Sequence, residues 1–252
     1  MYIFASDFDG TLNRNGVSDR DRDAVARFRA AGNLFGMVTG RDHNFTRTIR
    51  DCGVDVDFLL VFSGALCLTP DGDVIYDYRG PARDAVRGIV RYMGEHYGTP
   101  VDVCRGKSRD TFDWNCPDGD AARHFHPLCE LDGYDEFSVL YAFCETEEET
   151  GECTAEIKKR YGDTVNPLHN RIYIDIPPAG MDKGVGLSRY AALMNVPESN
   201  VWTAGDNLND MAMISRFHGC AVENAHPDLK KAARGVYPDV AAMIDELLRL
   251  SD

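Results

Sequence analysis

The sequence predicts an α/β protein, an open parallel sheet layered with helices, into which an α+β segment is inserted. Three observations predict it. Over about the first 70 residues, short apolar runs that end in glycine or acidic clusters alternate with helical patterns. Alternation of that kind with short loops is the pattern of parallel strands joined by crossover helices. The same rhythm returns after Gly180. Between these stretches, over residues 80–177, the segments lengthen and strand signals fade. The expected division is therefore one α/β unit made of residues 1–79 and 178–252, interrupted by an insert of about 98 residues at 80–177.

The elements follow in order. Residues 2–6 form a compact apolar strand that stops at Asp7-Phe8-Asp9-Gly10. Ser18 opens a helix as a capping residue with Asp21 three positions on; Val25 and Phe28 share one face, and Gly32 ends it. Leu34–Val38 is a second strand, ending at Thr39-Gly40. A helix is expected over 42–52, stopped by Gly53, and a third strand over 58–62. In the insert, helices are expected over 82–97, broken by Gly98 and Pro100, and over Glu147–Tyr161. A strand over 171–176 is closed by Pro177-Pro178. The last elements are a helix over 182–195, a strand over 201–204 ending at Gly205-Asp206, and a terminal helix over 239–250.

Composition removes several function classes. The chain has 252 residues, 44% hydrophobic and 27% charged, enough to bury a core without staples. Its 27 basic residues face 41 acidic ones, a formal net charge of −14, so the average field repels nucleic acid and anionic membranes. The N-terminal residues lack a basic and apolar leader, and the longest nearly apolar stretch, residues 58–68, falls well short of the ~20 residues a membrane span requires. Eight cysteines show no C-x-x-C pair. Reduced thiols in a cytoplasmic protein, with no nucleic-acid or membrane partner, are the expectation.

Ligands of open parallel sheets bind beyond the carboxyl ends of the strands. Four polar clusters fall at such places or at a helix start: Asp7-Phe8-Asp9-Gly10-Thr11-Leu12, Thr39-Gly40-Arg41, Lys183, and Gly205-Asp206-Asn207-Leu208-Asn209-Asp210. Taken singly, each has a bland reading as a turn, a loop, a solvated lysine or a helix cap. Their joint occurrence, in this order, is what points to chemistry. Asp7, Asp206 and Asp210 around one point would repel one another, so they must take up a proton or share a cation. Oxygen donors select a hard ion such as Mg²⁺, which uses one or two carboxylates together with substrate phosphate. A carboxylate can attack a phosphoryl group, a second carboxylate can give the leaving oxygen its proton, and Lys183, Thr39 and Gly40 can face the phosphoryl oxygens.

The set Asp7-Phe8-Asp9-Gly10-Thr11, Val38-Thr39-Gly40-Arg41, Lys183, and Gly205-Asp206 through Asn209-Asp210 resembles the haloacid dehalogenase superfamily of phosphatases. By place and length, the insert is similar to the C2-type cap of the Cof-type (IIB) branch. The resemblance covers all four motifs of the core, about 155 residues, and in the insert rests on position and length. It implies a Rossmann-like core, with Asp7 as nucleophile and Asp9 as general acid/base. It implies Mg²⁺ held by Asp7, the Asp9 carbonyl and Asp206, with Asp210 supporting, and phosphate held by Thr39, Gly40 and Lys183 and oriented by Asn209. The cap would set the substrate. One departure is Ser63-Gly64-Ala65, where many Cof-type members carry Asn-Gly-Ala; no substrate role is borrowed for position 63.

The function implied is a Mg²⁺-dependent phosphatase that hydrolyses a small phosphorylated metabolite, a sugar or polyol phosphate, through an aspartyl phosphate. The protein would act as a monomer or homodimer. Two alternatives stay open: a phosphomutase, and a non-catalytic phospho-acceptor. Receiver domains also combine acidic residues with Thr and Lys, but they are about half this length and have no such insert. Asp9 favours turnover, since ion-pumping relatives carry Thr there. Other features have bland readings. His124-Phe125-His126 with Cys129 matches no zinc spacing. Glu147-Glu148-Glu149 suits a helix start and Lys158-Lys159-Arg160 a helix end. Arg105-Gly106-Lys107-Ser108-Arg109 reads as a surface loop, and the insert's five cysteines as fillers of small apolar gaps.

Overall fold

The computed structural model describes residues 1–81, 83–116, 118–120 and 122–251. The chain divides into two compact units, residues 1–76 with 182–252, and residues 77–181. The insert's first expected helix was drawn from Ala82, which lies outside the described residues.

The strands and helices run in the order β1 (Ile3–Ser6), α1 (Asp19–Ala30), β2 (Leu34–Val38), α2 (Phe45–Cys52), β3 (Phe58–Val61), β4 (Leu66–Leu68), β5 (Val74–Asp77), β6 (Gly80–Pro81), α3 (Arg83–His96), β7 (Val101–Arg105), β8 (Ser108–Phe112), β9 (Phe125–His126), β10 (Glu136–Phe137), β11 (Val139–Phe143), α4 (Glu147–Tyr161), β12 (Leu168–Asn170), β13 (Tyr173–Ile176), α5 (Lys183–Leu193), β14 (Val201–Gly205), α6 (Met211–Arg216), β15 (His218–Val222), α7 (Pro227–Ala232), β16 (Gly235–Tyr237) and α8 (Val240–Ser251).

Among the described residues the first unit is built on an eight-stranded sheet in the order β16-β15-β14-β1-β2-β3-β4-β5. From β16 to β3 every pairing is parallel, and β4 turns back antiparallel on β3. β1 is Ile-Phe-Ala-Ser and buried throughout, as a strand covered on both faces must be. Phe4 stacks on Phe35 at 5.8 Å and meets Phe28 of α1 edge-on at 6.1 Å, so strand and helix share one apolar layer. The Ser18 side chain accepts from Asp21 N, as the capping pattern requires. Asp21 also has a tertiary partner: its Oδ1 accepts from Ala241 N at 2.9 Å and ties α1 to the start of α8.

Several expected elements are shorter than their sequence patterns, and two of these differences bear on the loops around the sheet's crevice. The helix expected over 42–52 starts at Phe45, and residues 42–44 form turns in which Asp42 Oδ1 accepts from Asn44 N. The strand expected over 58–62 ends at Val61, because Phe62 and Ser63 both take positive φ, at 55° and 52°. This bend returns two bonds to the second loop: Phe62 N donates to Arg41 O at 3.0 Å and Ser63 N to Thr39 O at 3.0 Å.

Among the described residues the second unit carries a six-stranded sheet, β12-β13-β11-β7-β8-β9, antiparallel up to β8 and parallel between β8 and β9. Val101, Val103, Phe112, Leu140 and Ile174 form its core with Val86, Ile89 and Met93 of α3 and Ile157 of α4. Thr146 and Glu149 close a reciprocal capping box at the start of α4, so the glutamate run sits at a helix N-terminus. The 105–109 cluster is the β7 to β8 turn. Two of its charges are engaged locally: Arg109 pairs with Asp102, and the Arg105 guanidinium lies 3.9 Å from the Tyr134 ring centre. Of the insert's cysteines, Cys104, Cys144 and Cys153 are buried as expected, but Cys116 is half-buried and Cys129 is exposed, which corrects the gap-filling reading for those two. No helix of the described residues is long and apolar enough to cross a membrane.

Candidate active site

The strand order reverses between β1 and β14, the point where an open α/β sheet leaves a crevice. β1 runs beside β14 with Ser6 opposite Ala204, and Asp7 N donates to Ala204 O at 2.9 Å. Asp7 follows Ser6 directly and Asp206 follows Ala204 after Gly205, so the register brings both aspartates to the same end of the sheet. Gly10 then turns the chain with φ of 89°; a Cβ there would lie 2.3 Å from Asp206 Oδ2, so only glycine lets the first loop close on the second carboxylate.

Lys183 is fully buried at the start of α5, whose N-cap Asp182 accepts from Val185 N at 2.8 Å. Its Nζ donates to Asp7 Oδ1 at 2.7 Å and to Asp210 Oδ1 at 2.6 Å. The other Asp210 oxygen accepts from the backbone amides of Asp206 at 3.0 Å and Asn207 at 3.1 Å. Both Asp210 oxygens are therefore engaged, and its work is to fix Lys183 and the turn that carries Asp206. Asp206 Oδ1 accepts from the buried Thr11 hydroxyl at 3.1 Å.

Asp7, Asp206 and Asp210 have carboxylate oxygens within 4.8 Å of one another, and all three residues are buried. Among the described residues this is the one group of His, Cys, Asp or Glu side chains with metal-holding spacing. Three carboxylates meet one ammonium, so the site carries surplus negative charge away from water. Burial pushes Asp7 well above the ordinary carboxylate range; Lys183 opposes the shift, and Asp210 and Asp206 reinforce it. For Lys183, burial pulls downward, but Asp210 and Asp7 overcome it and hold the ammonium above the ordinary lysine range. An all-oxygen donor set with excess negative charge fits a hard divalent cation.

The remaining predicted residues lie around this cluster with different environments. Thr39 is buried and its hydroxyl accepts from Arg41 N at 3.2 Å; its own amide donates to Leu60 O at 2.8 Å. Gly40 is half-buried on the same loop, and Asn209 is buried within the turn between Asn207 and Asp210. Asp9 stands apart: its side chain is 48% exposed, and both its oxygens are gripped by Arg41, from Nε at 2.7 Å and Nη2 at 2.6 Å.

Sequence reasoning missed Arg41 as the partner of Asp9, Thr11 as the orienter of Asp206, and Asn224. The Asn224 amide donates to Gly10 O at 2.8 Å, and nearby His226 N donates to Asp206 O at 2.7 Å, so this segment pins the backbones of both acidic loops. Thr11 and Arg41 sat within quoted motifs and drew no role of their own; Asn224 lies 214 residues from Gly10 and carried no local signal.

The model of one protein family, haloacid dehalogenase-like hydrolase, matches residues 4–242. The chain is 24% identical to the 5-amino-6-(5-phospho-D-ribitylamino)uracil phosphatase YwtE of Bacillus subtilis, across 98% of both chains. It is 24% identical to an HMP-PP phosphatase of Yersinia pestis across 92% of this chain and 87% of that one. Among solved structures, a haloacid dehalogenase subclass IIB sugar phosphatase matches with a TM-score of 0.78 at 19% identity over 98% of each chain. A haloacid dehalogenase-like hydrolase from B. subtilis matches with a TM-score of 0.79 at 21% identity, covering 98% of this chain and all of that one. At these identities the structural matches establish the fold.

Proposed function

The chain belongs to the haloacid dehalogenase-like hydrolases and is a phosphoric monoester hydrolase of their phosphatase type, and from that premise we propose that it cleaves a sugar or polyol monophosphate through an aspartyl phosphate on Asp7. The observation that carries the reading is the buried set of Asp7, Lys183, Asp206 and Asp210 at the switch point of the sheet. Lys183 holds one oxygen of the Asp7 carboxylate and so orients it for attack on phosphorus. In the first step an Asp7 oxygen bonds to phosphorus, the ester oxygen leaves, and Asp9 gives that oxygen its proton. In the second, water attacks the aspartyl phosphate, Asp9 takes the water's proton, and inorganic phosphate departs with Asp7 restored. The Thr39 hydroxyl, Gly40 and the Lys183 ammonium are assigned to the phosphoryl oxygens, with Asn209 aiding their orientation. Mg²⁺, held by Asp7 and Asp206, with the Asp9 carbonyl beside them and Asp210 supporting from behind, would supply positive charge to the phosphoryl group.

The substrate class rests on the relatives. The full-length relative YwtE is named for a phosphorylated ribityl chain carried on a uracil, which is a polyol phosphate. The second unit, residues 77–181, is proposed to select among such esters. The test is release of inorganic phosphate from p-nitrophenyl phosphate and from a panel of sugar and polyol monophosphates, with and without Mg²⁺. Mg²⁺-dependent release with a preference for the panel is expected. Phosphate moved within the substrate and not released would mark a mutase, and a phosphorylated protein without turnover would mark an acceptor.

A further inference from the structure

Asp9 is the proton-transfer carboxylate of the reading above, yet its place in the fold is unlike that of the other acidic residues. Asp7, Asp206 and Asp210 converge in a buried group, and Asp9 is not part of it. Its two oxygens accept from Nε and Nη2 of the Arg41 guanidinium at 2.7 and 2.6 Å, a bidentate fork that engages both of them. Arg41 is itself held in place: its guanidinium carbon lies 5.3 Å from the Phe8 ring centre and 5.6 Å from that of Phe45, and those rings meet edge-on at 4.9 Å. Its backbone is pinned by its own amide to the Thr39 hydroxyl and by Phe62 N to its carbonyl. The aromatic seat and the backbone bonds preset the fork, so the Asp9 position is built and not incidental.

Two facts bear on what could release it. The guanidinium fork donates to carboxylate or phosphate oxygens in the same geometry. Arg41 also follows directly on Thr39 and Gly40, the loop assigned to the phosphoryl oxygens. We propose that Arg41 is a latch on Asp9: without substrate it holds the carboxylate outside the acidic group, and a phosphate dianion arriving at the Thr39 loop takes over the guanidinium and frees Asp9 to turn inward. Arg41 is thus a positioning residue for Asp9 and a phosphate contact in alternation, never both at once. This rests on the phosphatase reading, and the experiment separates the two.

The test uses the full chain with ¹⁵N-labelled arginine, in Mg²⁺, titrated with inorganic phosphate. The Arg41 Nε–H resonance is assigned as the signal absent from Arg41→Lys. In the free protein Asp9→Ala should move that signal, because its partner is gone. Saturating phosphate should then move the wild-type signal to the position it takes in phosphate-saturated Asp9→Ala, because in both the guanidinium is on phosphate. In parallel, Arg41→Ala should raise KM for p-nitrophenyl phosphate about tenfold, with Arg41→Lys between it and wild type. A wild-type Arg41 signal that stays fixed while phosphate competitively inhibits turnover would overturn the latch and leave the phosphatase standing. An unchanged KM in Arg41→Ala would do the same. Absence of both turnover and inhibition would remove the phosphatase reading itself.

Discussion

A lysine with no exposed surface, held between two aspartates, sets the behaviour of the residue proposed to attack phosphorus. Burial raises Asp7 from 3.8 to about 8, against the pull of Lys183 and with Asp210 and Asp206 adding to the rise. The folded protein keeps a proton there that the unfolded chain releases near 3.8. In that interval the folded state binds more protons, so this group's contribution to stability falls as pH rises from the ordinary carboxylate value toward about 8. In chelator-treated protein the urea midpoint should therefore decline across this window. Asp7→Asn should flatten the decline, and Mg²⁺ should offset it in wild type but not in the variant; equal slopes in the two proteins would contradict the assignment. The two acidic residues of the first loop should also fail differently. Asp7→Asn removes the nucleophile and should lower turnover by several orders of magnitude. Asp9→Asn keeps the shape and the backbone carbonyl but moves no proton. With p-nitrophenyl phosphate the first step needs little acid, while the second still needs a base. An aspartyl phosphate on residue 7 should then accumulate in Asp9→Asn and be absent from Asp7→Asn, read by mass spectrometry after a rapid acid quench. Label on Asp206 or Asp210 would reverse the roles.

Elements matter here through where their ends are held. α5 delivers Lys183 only because its first turns cross the loop after β3 at backbone contact: a Cβ on Gly186 would lie 2.6 Å from Gly64 Cα, with no flexible side chain to give way. Tyr76 adds a hydroxyl bond to Gly186 O at 2.8 Å on the same side. Gly186→Ala should therefore push α5 off that loop, cost about 1–3 kcal/mol of stability, and lower turnover more than it raises KM, since Lys183 moves relative to Asp7. Denaturant midpoints and steady-state kinetics check it; a variant with wild-type stability and rate would show that the contact is slack. The bend at Phe62 and Ser63 has the same character, because positive φ at a bulky aromatic is costly and persists where surrounding bonds enforce it. Those bonds run to Arg41 and Thr39, so the third strand's exit shapes the second loop. No propensity in Phe62-Ser63-Gly64 announced this, and the strand pattern ran one residue too far for that reason.

For the whole molecule, the division at Tyr76 and Met181 gives each unit its own sheet and core, so the second is separable in principle from the chemistry of the first. Replacing residues 77–181 with a short linker should preserve slow hydrolysis of p-nitrophenyl phosphate while levelling the differences among sugar and polyol phosphates. An unchanged ranking of substrates would place selectivity in the first unit. The two units were unequally legible in sequence. The parallel sheet was legible at β1, β2, β3 and β14, where strands buried on both faces read as apolar runs with polar stops, while β15 and β16 were not read. The second sheet was less so: β8 is Ser-Arg-Asp-Thr-Phe and β9 is two residues long, too polar or too short for a periodic signal.

By itself the sequence determined the α/β class, the four loops with their acidic, hydroxyl and lysine groups, and the family that those motifs resemble, because each is written in a few consecutive residues at a strand or helix end. Only the tertiary structure decided which groups share a charge. It buried Lys183 against Asp7 and Asp210, engaged both Asp210 oxygens, and used Thr11 to aim Asp206. It also turned Asp9 away onto Arg41 and pinned the first loop through Asn224. These pairings join residues as far as 214 positions apart, and their strength depends on exclusion of water, which no local pattern encodes.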